Sequence, residues 1–288
     1  MRLPALRVAR AAVSLRSGAP APAVMSLVLP AAVPPVAQDA GMSLVFAVGA
    51  TVFIKGVTSL TTLGWSSNLT RKLIHMGCGP GFLLSWVLFS DLPTARLLAA
   101  AVPILSIVRL VLASRGKLGE GGAAMVRGIS RTGADKEVAG GPLVYTWVLL
   151  VACLLGWRTV AAAVAVCQMG MGDGLADIVG RRFGKVKWPF SETKSFAGSA
   201  GFALGGFLSS LGMIALFHAF GYTAINVVQA ALPVLAISFI SAAVRRRFAK
   251  LPILDPLSHH TDPLPPTLRW SSYPSVTTTG RCRSSPPC

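Results

Sequence analysis

Residues 159–185 read TVAAAVAVCQMGMGDGLADIVGRRFGK. The run opens on an unbroken Val/Ala stretch, turns glycine-rich, takes on Asp173 and Asp177, and closes on Arg181, Arg182 and Lys185. An ionised Asp at the centre of a membrane helix costs roughly 2.5–3.5 kcal/mol on insertion scales. Two of them therefore belong at a helix end, in a wet cavity or beside a cation. The stretch reads as a membrane helix that carries charge to a water boundary.

Outward from it the apolar pattern recurs. Seven blocks run roughly over 43–63, 73–90, 94–113, 142–157, 159–179, 196–220 and 224–244. Each approaches the ~20 residues that a helix needs to cross the hydrocarbon. Lipid offers the backbone no hydrogen-bond partner, so such blocks must satisfy their own N–H and C=O groups as helices. The expected fold is all-α, a polytopic integral membrane protein with about seven transmembrane helices. Composition agrees: of 288 residues, 53% are hydrophobic and 13% charged, with a mean hydropathy of +0.63. Soluble domains carry about 25% charged residues.

The charge is lopsided, 27 Lys+Arg against 10 Asp+Glu. In a soluble chain that excess suggests nucleic acid, but here it segregates by topology. With the connections numbered alternately from residue 64, one side receives Arg71, Lys72, Arg115, Lys117, Arg127, Arg131, Lys136, Arg181, Arg182, Lys185, Lys187, Lys194, Arg245, Arg246, Arg247 and Lys250. The other receives Arg158 and Arg96, while Arg109 falls inside a block. Basic loops mark the cytosolic face, or in a plastid the stromal face, so the partners expected are a lipid bilayer and no nucleic acid. Five cysteines without a Cys-x-x-Cys pair exclude a disulfide framework and a zinc site.

Three regions follow. Residues 1–40 hold Arg2, Arg7, Arg10 and Arg16 with no acid before Asp39, the composition of an organelle transit peptide or a disordered arm. Residues 41–250 form the membrane domain. Residues 251–288 are rich in Pro, Ser and Thr and are expected to be disordered.

The acids place the chemistry. Asp39, Asp91, Glu120, Asp255 and Asp262 fall in tails or loops, leaving Asp135 with Glu137, and Asp173 and Asp177 with Glu192. On a helix, Asp173, Asp177 and Arg181 recur every four residues and share a face. Gly170, Gly172 and Gly174 remove side chains beside the first carboxylate. Paired carboxylates beside an open backbone suit Mg2+, which keeps waters and phosphate oxygens in its remaining positions. Arg181, Arg182, Lys185, Lys187 and Lys194 can hold a phosphate chain. The bland alternative is an interfacial loop in which Arg and Asp pair with each other and the glycines serve helix packing. Gly180 to Lys185 has the wrong spacing for a P-loop, and Val186 stands where Ser or Thr is required. Arg71, Lys72 and His75 enter the second block together, either as phosphate contacts and a proton acceptor or as interfacial anchors. Asn68-Leu69-Thr70 matches a glycosylation acceptor but falls on the basic side.

Gly172-Asp173-Gly174-Leu175-Ala176-Asp177 through Lys185, followed by Lys194-Ser195-Phe196-Ala197-Gly198-Ser199, resembles the signature of the phytol/farnesol kinase family, polyprenol kinases related to dolichol kinases and more distantly to CDP-diacylglycerol synthases. Arg71-Lys72-Leu73-Ile74-His75 is similar to that family's early Arg-Lys-Leu-Val-His, and Gly141-Pro142-Leu143 with Tyr145 to its Gly-Pro-Leu-x-Tyr. The likeness covers roughly residues 43–243. It implies a CTP-dependent kinase that phosphorylates a long isoprenoid alcohol, phytol first (as in tocopherol biosynthesis and phytol salvage), then farnesol, geranylgeraniol or dolichol. It implies a chloroplast membrane, with the endoplasmic reticulum as the alternative. The roles implied are Asp173 and Asp177 on Mg2+, and His75 as proton acceptor. Arg71, Lys72, Arg181, Arg182, Lys185 and Lys194 would bind the triphosphate, with Gly172, Gly174, Ser195, Gly198 and Ser199 lining its pocket.

After Val244 the likeness stops. Relatives continue with Glu-Ser-Leu-Pro, an Asp-Asp-Asn stretch and a further apolar helix; here Arg245-Arg246-Arg247 leads into the Pro/Ser tail. A retained intron or frame shift would give such a change, and activity is in question if the tail is genuine. Among other classes, a CDP-lipid synthase lacks its downstream Lys-Arg-x-x-Lys-Asp element. A CDP-alcohol phosphotransferase would need Ala-Arg after Asp173-Gly174. A small transporter would show interrupted helices in both halves.

Overall fold

The computed structural model describes residues 34–119, 140–189 and 191–248. The N-terminal segment to residue 33, the middle-loop residues Asp135, Lys136 and Glu137, and the tail from residue 249 lie outside the described residues. The chain divides into two units, Met1–Arg246 and Arg247–Cys288, and the elements below belong to the first apart from the last two residues of the final helix.

Eight α-helical segments occupy the described residues: α1 Pro35–Ser59, α2 Ser67–Ser85, α3 Ala95–Ser114, α4 Gly141–Leu155, α5 Val160–Cys167, α6 Asp173–Phe183, α7 Phe196–Ala219 and α8 Val227–Phe248. A π-helical turn, Gln168–Gly172, joins α5 to α6. Each expected apolar block thus falls on a helix, and five helical stretches are long and apolar enough to cross a membrane: 35–63, 95–114, 160–183, 196–219 and 227–244. α4 is apolar but shorter. Outward-facing Leu97, Leu105, Leu204, Val228 and Leu232 are exposed, as a lipid-facing surface requires. The only strands among the described residues are a small antiparallel pair, Lys187–Trp188 with Ser191–Ser195.

Local chemistry sets the helix ends. The Oγ of Ser66 accepts from the Leu69 N–H, that of Ser195 from Gly198, and Thr159 Oγ1 from Ala162, so three N-termini are capped by hydroxyls. Pro35 opens α1, where its missing N–H costs nothing. That start is earlier than the block at 43 suggests, and it draws in part of the expected N-terminal arm. Asp39 in particular is fully buried, accepting from the backbone N–H of Ser90 at 2.7 Å and from its hydroxyl at 2.6 Å.

α7 packs closely on α6 through Gly198, Gly201 and Gly205. A Cβ at Gly198 would lie 2.9 Å from the Ala176 carbonyl oxygen, and one at Gly205 would lie 2.6 Å from Leu175 Cδ1. Without Cβ atoms the two helices approach backbone to backbone, the usual membrane solution where no hydrophobic force distinguishes protein from lipid.

The main core lies at the end of the bundle away from the basic loops. Trp86, fully buried, meets Trp157 at 4.8 Å, Phe217 at 6.3 Å and Phe82 at 5.8 Å. Arg158, expected merely as a lone positive charge on this face, is 9% exposed and holds the end of α2. Its Nη2 donates to the carbonyls of Trp86 at 2.8 Å and Phe89 at 2.7 Å, and Nη1 reaches Asp91 at 2.7 Å. The guanidinium lies 4.1 Å from the Tyr222 ring centre. One planar fork thus satisfies the Phe89 carbonyl and adds donors to that of Trp86, which also accepts the Phe89 N–H.

Candidate functional site

At the opposite end the polar groups converge. α2 brings Arg71, Lys72 and His75, and the chain just past the π turn, inside the continuous helical stretch 160–183, brings Asp173. Lys72 Nζ donates to Asp173 Oδ2 at 2.7 Å, a link across 101 residues of sequence. His75 Nε2 lies 4.0 Å from the same oxygen and 3.0 Å from the Met169 carbonyl. That carbonyl belongs to the π turn, whose extra residue shifts the register of the chain entering α6 and breaks the ordinary ladder. A carbonyl only accepts, so Nε2 carries the proton and the neutral ring keeps Nδ1 as its acceptor.

Tyr145 of α4, not singled out as functional from the sequence, completes the arrangement. Its hydroxyl donates to the His75 carbonyl at 2.8 Å and its ring lies 4.2 Å from the imidazole. Gly79 of α2 makes room for it, since a Cβ there would overlap the phenol oxygen. The available signal was the motif Gly-Pro-Leu-x-Tyr, in a chain with only three tyrosines.

These residues form one end of a cavity of about 340 Å3 between α1, α2, α3 and α4. Arg71, Lys72, His75 and Asp173 line the polar end; Phe46, Ile54, Ile74, Phe82, Val102, Leu110 and Leu149 are among those that make the body apolar. An amphipathic molecule with a long hydrocarbon portion fits such a shape.

The remaining expected site residues separate into two groups outside this cavity. Asp177 accepts from Arg181 Nε at 2.9 Å, one turn along α6. Arg181, Arg182 and Lys185 are exposed at and beyond the C-terminal end of that helix, and the Arg182 guanidinium sits 5.7 Å from the Phe183 ring. Ser195, Gly198 and Ser199 serve the α6–α7 junction. Ser195 caps α7, Ser199 Oγ receives the Trp188 indole N–H at 3.1 Å, and Gly198 touches Gly180. Lys194 is half-buried at the end of the second strand.

The glycines beside Asp173 are filled by neighbours, where the sequence suggested room for a ligand. A Cβ at Gly174 would overlap the Met76 side chain, and one at Gly172 would lie 3.3 Å from the Phe202 ring. At Gly170 it would meet Pro80 at 3.2 Å. Helix packing, the alternative left open above, accounts for all three.

For Mg2+, the donor set is two carboxylates one turn apart on α6, hard oxygen ligands of the type that ion takes. Each has a basic partner, Lys72 or Arg181, as carboxylates do where positive charge neutralises them. Among the described residues no group of three or more His, Cys, Asp or Glu side chains could hold a metal. Asp173 and Asp177 thus offer oxygen ligands of the type Mg2+ takes, each already neutralised by a basic side chain.

Comparison with known proteins gives consistent relatives. The chain is 40% identical over 198 residues to the rice (Oryza sativa subsp. japonica) protein named "Probable phytol kinase 2, chloroplastic", a match spanning 67% of this chain and 64% of that protein. It is 43% identical over 159 residues to the Arabidopsis thaliana "Farnesol kinase, chloroplastic", spanning 55% and 51% respectively. With the Zea mays "Probable phytol kinase, chloroplastic" it shares 38% identity over 230 residues, 79% of this chain and 74% of that one. The chain thus spans under two thirds of the length of the first two of these proteins. No family model matches the chain, and no solved structure does.

Proposed function

The chain belongs to the phytol/farnesol kinase family, and from that premise we propose that it transfers the γ-phosphoryl group of CTP to the hydroxyl of an isoprenoid alcohol, in a chloroplast membrane. The observation that carries the reading is the cavity: apolar along its body, with Lys72, His75 and Asp173 gathered at one end. A prenyl chain lies in the apolar part and presents its hydroxyl to that end. The basic face, with Arg71, Arg181, Arg182, Lys185 and Lys194, draws the nucleotide from the aqueous side.

The alcohol oxygen attacks the γ-phosphorus, the bond to the β-phosphate oxygen breaks, and CDP leaves. The hydroxyl proton passes to His75 at Nδ1, the ring nitrogen that Met169 leaves available. Lys72 and Arg71 offset charge on the transferring group, and the Tyr145 hydroxyl holds the segment of α2 that carries His75. Asp173 and Asp177 would hold Mg2+, which supplies charge neutralisation and orientation of the phosphates. Phosphoryl transfer demands mainly such positioning, and no covalent enzyme intermediate is required.

The test is transfer from γ-labelled CTP to prenyl alcohols by the full chain in nanodiscs. The expected products are the alcohol monophosphate and CDP. Release of pyrophosphate with a CMP-lipid would make the chain a cytidylyltransferase instead. Near-full activity of Asp173→Asn would remove the metal assignment.

A further inference from the structure

We infer that the cavity measures the length of the alcohol, seating about three isoprene units and ending on the Phe46–Phe82 pair, an inference that rests on the kinase reading above. The two ends of the cavity differ in kind. At one stand Lys72, His75 and Asp173. At the other the rings of Phe46 and Phe82 meet at 5.4 Å, and Phe82 is 2% exposed. Trp86, with no exposure, stands edge-on to Phe82 at 5.8 Å, so that packed core begins where the cavity ends. An extended chain whose hydroxyl sits at the polar end meets these rings at the other.

Length decides what fits. Lys72 and Phe82 are ten residues apart on α2, which is about 15 Å at 1.5 Å per residue. An extended hydrocarbon advances about 1.25 Å per bond, from ~1.5 Å bonds at near-tetrahedral angles, so one isoprene unit takes about 5 Å and three span the seat. A C20 alcohol, phytol included, overruns the seat by one unit and must push aside an aromatic ring or bend out into lipid.

The experiment compares geraniol, farnesol, geranylgeraniol and phytol as acceptors for the full chain in nanodiscs, with Phe46→Ala and the milder Phe82→Leu beside the wild type. The ratio between alcohols is read within one preparation, so partial loss of folded protein does not distort it. Farnesol should exceed both C20 alcohols in kcat/KM by about 10-fold or more, the low end of what mismatched hydrocarbon costs in a hydrophobic pocket. Either variant should shrink that ratio several-fold. A wild type that prefers C20 alcohols, or a ratio that neither variant moves, overturns the ruler while leaving the kinase reading intact. The same alcohols then compete with a diazirine-bearing farnesol, and labelled peptides are mapped. Selective protection of α2 and α4 peptides by farnesol without any transfer keeps the seat and sinks the kinase reading. Absence of both transfer and selective protection sinks both.

Discussion

Replacing Arg158 by Ala should weaken the fold by about 2–4 kcal/mol, without touching a residue of the cavity. Its guanidinium donates to the Trp86 carbonyl through Nε at 3.2 Å and Nη2 at 2.8 Å, and to the Phe89 carbonyl at 2.7 Å. Trp86 and Phe89 are 0% and 1% exposed, so neither carbonyl can turn to water when the donor goes. A buried acceptor left without a partner costs about 1–3 kcal/mol, and one is created at Phe89, since the Trp86 carbonyl keeps the Phe89 N–H at 3.4 Å. The ion pair with Asp91 adds little, because that carboxylate is 53% exposed and is simply rehydrated. Stacking on Tyr222 contributes about 1 kcal/mol more.

The backbone supplies a control. Arg158 sits at φ 57°, the left-handed region, where a residue with a Cβ pays roughly 1 kcal/mol that glycine does not. Arg158→Gly should therefore be about 1 kcal/mol more stable than Arg158→Ala although it removes the same guanidinium. The assay is denaturant unfolding in mixed micelles followed by near-UV circular dichroism, to which the Trp86–Trp157 pair contributes directly. If Arg158→Ala loses under ~1 kcal/mol, or if the Gly variant is the weaker of the two, the carbonyl-clamp account of this residue is wrong.

Other outcomes follow from the polar end. Asp173→Asn should lower phosphoryl transfer by at least about 100-fold, and Lys72→Met in that background should cost far less than it does alone, since the two share one ion pair; independent effects in a double-mutant cycle of activities would contradict the pairing. Tyr145→Phe removes one hydrogen bond worth about 1 kcal/mol. It should reduce kcat about five-fold with little change in KM and a displaced pH–rate profile, because the phenol positions His75; a drop in folded yield alone would make its role structural. Gly174→Ala should destabilise by about 1–3 kcal/mol through overlap with Met76, and Met76→Ala should restore both stability and transfer. A stable but inactive double variant would show that ligand approach to the Gly174 backbone matters after all.

The apolar blocks made the helices legible because lipid leaves the backbone one way to satisfy itself, and block length then follows from bilayer thickness. Asp39 was not legible. In sequence it ends an arginine-bearing arm, and only the return of the chain beyond α2 at Ser90, 51 residues later, shows why a buried carboxylate is tolerated there. The glycines around Asp173 were legible as missing side chains but not as to what fills the space. That answer belongs to Met76 and Phe202 on other helices. The i, i+4 spacing of Asp173, Asp177 and Arg181 placed them on one helix, and the Asp177–Arg181 pair follows from it directly. The same spacing said nothing of Lys72, because the contact from α2 to α6 depends on how the π turn sets the register of α6.

The two ends of the bundle accordingly obey different rules. At the Arg158 end the guanidinium is held by the buried carbonyls of Trp86 and Phe89, and the Phe89 carbonyl has no other donor among the described residues, so that contact is not exchangeable. At the other end Lys72, at 13% exposure, and Asp173, at 26%, are bound to each other, and each could trade that partner for an incoming phosphate or cation without leaving a buried group unpaired. On the proposed kinase reading, a site that admits and releases a nucleoside triphosphate needs such replaceable pairs, whereas one that orients a hydrocarbon needs an immovable floor. α2 supplies both, with Lys72 and His75 near its start and Phe82 near its end, backed by Trp86 and thus by the Arg158 clamp. Loosening that clamp should therefore blur discrimination between alcohols of different length before it abolishes phosphoryl transfer.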